Sequence, residues 1–432
     1  MEGMDAMADF VAEAFQNEFL SDGGTDVHAI VRITASNASG ATAGASGAGG
    51  VEVIIVDTSG SMGERGIQQG ALAATAALQE ITDGTLFAVI AGNHLAWQVY
   101  PPSPVPGLAV MNSANRAAAM GAVRGFRADG GTAMGQWLLA ARQVFETAPA
   151  SLRRHAILLT DGANEHETPD QLSWAINSCA GVFQADCRGV GDRWQVEEVR
   201  RIASALLGTV DLIPRPEEMA SEFQSMMRTS MSRGVANAEL RVWAPQGAQV
   251  LFVKQVSPNL EDLTTRRREV NPLTGGYPTG AWSDEDRDYH VAVRLPAKSV
   301  GQEQLAARVQ LAVGEEVKAQ ALVKAKWSND DALTARINPQ VAQYTGQAEL
   351  AAAIQDGLAA KAAGREDEAT SKLGRAVQLA NEAGNAEMTS RLKKVVEIDN
   401  AETGTVRLKK QVEKLDEMAL DTASTKTTRV RK

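Results

Sequence analysis

Residues 51–63, VEVIIVDTSGSMG, decide the fold. Before Asp57 the chain is almost wholly β-branched (Val51, Val53, Ile54, Ile55 and Val56), and it then turns abruptly to hydroxyls and glycines. An apolar run of this kind, ended by an acid, reads as a strand buried on both faces, as in a parallel sheet. Open parallel sheets collect ligands beyond the carboxyl ends of their strands, so Asp57 marks the position to search for chemistry.

Working outward, residues 51–233 alternate apolar strands (51–57, 85–91, 94–100, 155–160, 182–189, 209–213) with amphipathic helices (65–82, 113–124, 134–147, 169–179, 195–206, 216–232). This alternation predicts a doubly wound, Rossmann-like α/β domain. Only Gly92-Asn93 separates the second and third strands, too little for a crossover helix, so they should form an antiparallel hairpin at the sheet edge.

Upstream, residues 28–35 alternate as a half-buried strand with no local partner, and residues 36–50 form a Gly/Ala/Ser linker. Met4, Met7, Phe10, Ala14 and Phe15 permit a short amphipathic helix, so residues 1–27 are read as a helix or a disordered arm. After residue 234 the period changes to two, with strands at 237–244, 248–256, 288–295, 305–313 and 316–327. Joined by the strand at 28–35, these make a β-sandwich over 234–330 into which the α/β domain (51–233) is inserted. The Pro- and Gly-rich interval 257–288 reads as a long loop. Residues 331–420 return to helical period: a hairpin, a third helix and a last helix over 405–420, a C-terminal helical bundle. The final segment, 421–432, reads as a flexible basic tail.

A net charge of -10 and a pI near 5.2 argue against a general nucleic-acid surface. Two cysteines, Cys179 and Cys187, are too few for a disulfide framework and suit a reducing compartment. The acidic, interrupted N-terminus does not read as a secretory signal and no window is apolar enough to span a membrane, so a cytoplasmic location is expected.

Asp57, Ser59 and Ser61 place hard oxygen donors on one tight loop that opens a helix. That set suits Mg²⁺ or another hard octahedral cation, although the same letters can form a turn with an Asp helix cap. Two further pieces fall at the same sheet edge: Thr132 in the Gly-rich ADGGTAMG and Asp161 at the end of HAILLTD. Together the DTSGS, GGTAM and LLTDG segments resemble the metal-ion-dependent adhesion site of von Willebrand factor type A domains. The Ala/Gly/Arg-rich usage and the opening NEFLSDGG resemble cytoplasmic actinobacterial members of that family.

The resemblance implies that Ser59, Ser61 and Thr132 supply hydroxyl ligands to Mg²⁺ (or Mn²⁺ or Ca²⁺). Asp57 and Asp161 would act directly or through water. It leaves one position for an Asp or Glu of a protein partner, with Met62, Gly131 and His166 on the partner-binding rim. It implies an interaction scaffold rather than an enzyme. Two other readings stay open: a component of a stress-response complex resembling tellurite-resistance proteins, and a metal-dependent hydrolase or phosphoryl-transfer enzyme.

His166, between Glu165 and Glu167, reads either as part of a soft-metal cluster or general base, or as a loop shaping partner choice. No P-loop or nucleophile elbow is present. Residues 358–385 weakly resemble one tetratricopeptide-like hairpin, which either packs on the sandwich or forms its own groove. In the tail, Thr425, Thr427 and Thr428 are candidate sites for a Ser/Thr kinase, read by a forkhead-associated-domain protein, with Val430 three residues after Thr427.

Overall fold

The computed structural model describes residues 8–38, 49–102 and 104–429. Along the chain β1 (Asp9–Gln16), β2 (Phe19–Leu20) and β3 (Asp26–Ser36) come first. There follow β4 (Gly50–Asp57), α1 (Gly63–Glu80), β5 (Leu86–Gly92), β6 (Ala96–Tyr100), β7 (Ala109–Val110), α2 (Ser113–Val123) and α3 (Met134–Glu146). The α/β region closes with β8 (Arg153–Thr160), α4 (Pro169–Cys179), β9 (Gln184–Val190), α5 (Val196–Ala205), β10 (Val210–Ile213) and α6 (Met219–Met231).

The chain divides into two compact units, the first comprising Asn37–Ala236 with Gly280–Ser283. Its sheet runs β10-β9-β8-β4-β5-β6, with β7 pairing β5. β4 lies between β8 and β5, parallel to both, which is why all eight of its residues are buried and why it tolerates no polar alternation. β6 is antiparallel to β5 at the edge, the hairpin expected from the two-residue gap. One face of the sheet, through Ile54, Val56, Phe87, Val89, Ile157 and Leu159, packs on α1, α2 and α6. α3 packs against β4, β5 and β6, with α4 beside it and α5 on β9. The start of α4 follows its capping chemistry. Thr168 and Gln171 form a capping box before α4, with Pro169 at its first turn.

The second unit holds Asp9–Ser36, Asn237–Thr279 and Asp284–Lys432, so the sequence of the α/β unit interrupts it. Its strands continue with β11 (Val235–Trp243), β12 (Gln249–Ser257), β13 (Glu261–Asp262), β14 (Arg268–Asn271), β15 (Thr274–Trp282), β16 (Asp286–Arg294), β17 (Glu303–Val313) and β18 (Glu316–Trp327). They form two sheets, β1-β3-β16-β12-β13 and β14-β15-β11-β17-β18-β2, with β1 against β18 and β17 against β3. The remainder is α7 (Asp331–Thr334), α8 (Pro339–Ala362), α9 (Glu366–Glu382), α10 (Ala386–Val395), β19 (Val396–Asn400), β20 (Thr405–Leu408) and α11 (Lys414–Ser424). Leu350, Ile354, Leu373, Val377, Leu392 and Leu420 form its helical core.

Four expectations are corrected here. Residues 9–16 are neither helix nor disordered arm: β1 pairs along its length with β3, from Asp9↔Ser36 to Gln16↔Ala29. The strand at 28–35 therefore has a local partner, whose backbone groups satisfy an otherwise open edge. Met4 and Met7, the other half of the supposed apolar stripe, lie outside the described residues. The interval 257–288 is not a loop, since it supplies β13, β14 and the largely buried β15. Its glycines hid the strand from a propensity reading. Residues 405–420 are not one helix: β19 and β20 form a hairpin turning at Gly404 (φ 68), and α11 begins only at Lys414. Leu408, Val412 and Leu415 keep a helical spacing in the letters although the chain is extended over the first of them.

The fourth correction concerns the tail, which is docked through Arg429. Thr425 O accepts from Leu260 N (2.8 Å) and Thr427 Oγ1 donates to Pro258 O (3.0 Å). Thr428 exchanges two hydrogen bonds with the Gln347 amide, and Arg429 pairs with Asp286. Val430 lies outside the described residues.

The hairpin meets α9 at two facing glycines. A Cβ on Gly374 would stand 2.3 Å from Gly404 O, where no side-chain rotation can relieve the clash. Gly374→Ala should therefore lower stability by about 1–3 kcal/mol, the usual cost of forcing bulk into a packed contact. Urea denaturation is the check, and an unchanged midpoint would contradict the packing.

Candidate metal centre

The buried strand β4 delivers Asp57 to the carboxyl edge of the sheet, and the backbone there turns back on it. Asp57 Oδ1 accepts from Ser59 N (2.8 Å), while Oδ2 accepts from Thr160 Oγ1 (2.8 Å) and Asp161 N (3.3 Å). A short 3₁₀ turn, Gly60–Met62, then brings Ser61 beside Ser59, their hydroxyl oxygens 2.8 Å apart. Ser61 Oγ donates to Asp161 Oδ1 at 2.5 Å, which joins the ends of β4 and β8. Thr132 enters from the loop before α3: a Cβ added to Gly162 would stand 2.9 Å from Thr132 Oγ1 and 3.1 Å from Ser61 Oγ. The structure thus brings three segments, separated by up to about a hundred residues in sequence, around one opening.

That opening is a cavity of about 290 Å³ lined by Ser59, Ser61, Gly131, Thr132, His166 and Arg193, among others. Burial pushes the Asp57 carboxyl up to about 6, with the adjacent Asp161 adding to the rise and the Ser59 and Thr160 hydrogen bonds opposing it. Asp161 is raised too, again chiefly by burial. Two carboxylates and three hydroxyls held close together are a donor set for a hard divalent ion. The space beside Gly162, which any side chain would fill, keeps Thr132 and Ser61 open to the same point. The residues fit such an ion.

The rim differs in part from the sequence reading. Met62 does not face a partner: it is 5% exposed and sits under α1, where Gly66 and Gly70 leave room for its side chain. Met62 is the buried residue of the 3₁₀ turn. Gly131 and His166 do line the opening. His166 Nδ1 accepts from Thr132 N (3.2 Å) and its backbone N–H donates to Thr132 O (3.0 Å), so the ring anchors the threonine loop. Asn164 Oδ1 and Glu167 Oε1 accept from Met134 N and Gly135 N, fixing the start of α3 behind it. Among the described residues no three His, Cys, Asp or Glu side chains assemble as a metal-binding group, so no soft-metal cluster forms around His166.

Two contributors were missed. Thr160 holds Asp57 from the strand below, and Arg193 donates to Ser61 O (3.1 Å) while facing Asp161. The position of Arg193, just past the parallel strand β9, was the available signal.

Residues 52–212 match the model of the von Willebrand factor type A domain, and residues 378–424 match that of the type A C-terminal domain. A solved von Willebrand factor type A structure from Catenulispora acidiphila is 47% identical, covers 100% of this chain and 99% of its own, and superposes with a TM-score of 0.92. The chain belongs to the von Willebrand factor type A family. The ArnB paralog VWA2 of Sulfolobus acidocaldarius shares the fold (TM-score 0.59, 15% identity, 97% and 98% coverage). An uncharacterized Synechocystis sp. protein is 28% identical over 220 residues, 50% of each chain, so this chain spans about half the length of that curated relative. Type A domains generally mediate metal-dependent protein interactions, commonly through a divalent ion, and are generally interaction modules rather than enzymes. No helix among the described residues of this type A protein is long and apolar enough to cross a membrane.

Proposed function

We propose that this type A protein is a metal-dependent interaction scaffold that recruits a partner through a carboxylate. The observation that carries the reading is a five-residue cluster: Ser59, Ser61 and Thr132 line one opening, Asp57 is hydrogen-bonded to Ser59 N and Asp161 to Ser61 Oγ. These five would hold Mg²⁺, or Mn²⁺ or Ca²⁺. When bound, the ion supplies positive charge to which an Asp or Glu of the partner can attach. Arg193 adds a fixed cation at the same rim, and His166 keeps the Thr132 loop in register.

The reading includes an intracellular signalling role, in which a kinase and a forkhead-associated-domain protein use the C-terminal threonines. Thr428 is exposed, whereas the Thr427 hydroxyl is engaged by Pro258 O. Modification of Thr427 therefore requires this end of the chain to lift first.

The test is capture from cell lysate on the immobilised full chain with Mg²⁺, with EDTA, and with Asp57→Ala, read by quantitative mass spectrometry. Proteins retained only by the wild type in Mg²⁺ support metal-dependent recruitment. Identical capture in all three arms contradicts it.

A further inference from the structure

A second opening, of about 690 Å³, lies on the α/β unit along the outer side of α1. Its α1 wall is Glu64, Ile67, Gln68, Ala71, Leu72 and Thr75. These fall at i, i+3, i+4, i+7, i+8 and i+11, one continuous helix face about three turns and ~17 Å long at 1.5 Å per residue. At its base Ile67 is buried in the core cluster and Ala71 packs against it, while Glu64, Gln68 and Leu72 are exposed along its outer edge. Leu72 is 53% exposed on the trough that Ile67, Ala71 and Phe126 line. The facing wall is the segment after α2, where Phe126 forms the apolar floor and the exposed Arg124 and Arg127 stand at the edge.

We propose that this groove docks an acidic amphipathic helix of a partner protein. A row at helical spacing presents ridges that a second helix interdigitates, and a trough of this length takes apolar anchors one turn apart. Sign follows from the rim: two arginines against the single Glu64 favour Asp or Glu flanking the anchors. Both walls also run directly into the metal loops. α1 follows the turn that carries Ser61, and the backbone N–H of Asp129, after the Arg124–Ala128 wall, donates to Thr58 O. A helix seated here lies next to the segments that position Ser59, Ser61 and Thr132. Docking itself is independent of any ion, which separates it from the reading above.

The test is selection of a displayed 16-residue peptide library on the immobilised full chain in EDTA, followed by fluorescence anisotropy of the enriched peptides. The expected sequences carry apolar residues at i and i+3 or i+4 with intervening acids. Their affinity should fall about tenfold or more on Leu72→Glu, the loss of one central anchor. It should fall similarly on Arg124→Glu with Arg127→Glu, all three positions being exposed and therefore tolerant of substitution. Basic or unpatterned winners, no enrichment, or equal binding to both variants would overturn the proposal.

Discussion

Replacing Glu52 by Ala should lower the stability of the α/β unit by about 3–5 kcal/mol, the cost of leaving buried charges without their partner. Glu52 is fully buried and joins several groups at once: Oε2 to His155 Nδ1 at 2.7 Å, and Oε1 to Ser230 Oγ at 2.8 Å and to Arg153 at 3.1 Å. His155 reaches Asp186 Oδ2 through its other nitrogen (2.9 Å), so carboxylates stand at both ends of one buried ring. With both acids ionised both nitrogens donate, which favours the imidazolium form of the ring. Burial opposes that charge, but Glu52 and Asp186 outweigh it and the His155 value is raised. Burial likewise opposes the carboxylates, yet Glu52 is held below its ordinary value by His155 and Arg153, and Asp186 well below by Arg233 and His155.

The signs fix a pH window. A raised His155 contributes fully below its ordinary 6.5 and loses that contribution as pH rises through the folded value. The lowered acids contribute above their ordinary 4.5 and 3.8 and lose it as pH falls through their folded values. The stability difference between wild type and Glu52→Ala, from chemical denaturation, should therefore be largest between about pH 4.5 and 6.5. A difference below about 1 kcal/mol across that range would mean the network contributes little.

Gly189→Ala should have the second-largest effect. A Cβ there would fall 1.9 Å from Trp194 Cε2 and 2.1 Å from Cδ2, inside a ring that is itself fully buried. The indole cannot retreat without breaking its Nε1 hydrogen bond to Gly191 O (3.0 Å). The cost should approach about 3 kcal/mol, the upper part of the overpacking range. A functional consequence follows, because Arg193 precedes the displaced tryptophan and is bonded to Ser61 O. Denaturation midpoints and near-ultraviolet circular dichroism report the two effects. A variant with the wild-type midpoint and spectrum would show that the indole is not held as described.

Where the letters were decisive, they were so because burial leaves few alternatives. β4 had to be a central strand, since no half-exposed strand would carry Val51 through Val56 without alternation, and its ending in Asp57 located the site. The edge hairpin followed from chain reach alone. β1 was not legible: Phe10, Ala14 and Phe15 also fit a helical spacing, and the pairing that decides it comes from β3. Met62 was misread because sequence proximity to Ser61 does not fix direction through a 3₁₀ turn. Glu52, His155 and Asp186 stand far apart in the sequence, in three separate strand-forming stretches. Their meaning appears only when β4, β8 and β9 lie side by side. Ile30 of β3 is buried in a cluster with Tyr344 of α8, whose hydroxyl donates to Asp288 at 2.5 Å. No local pattern could announce a helix arriving from about three hundred residues later.

The most direct measurement is a Mn²⁺ titration of the full chain followed by electron paramagnetic resonance, on wild type and on Asp57→Ala. The wild type should bind one ion per chain, displaced by excess Mg²⁺. The variant, with an unchanged far-ultraviolet circular dichroism spectrum, should bind none at the same concentrations. Equal Mn²⁺ uptake by both proteins would show that Asp57, Ser59, Ser61, Thr132 and Asp161 do not form the metal centre.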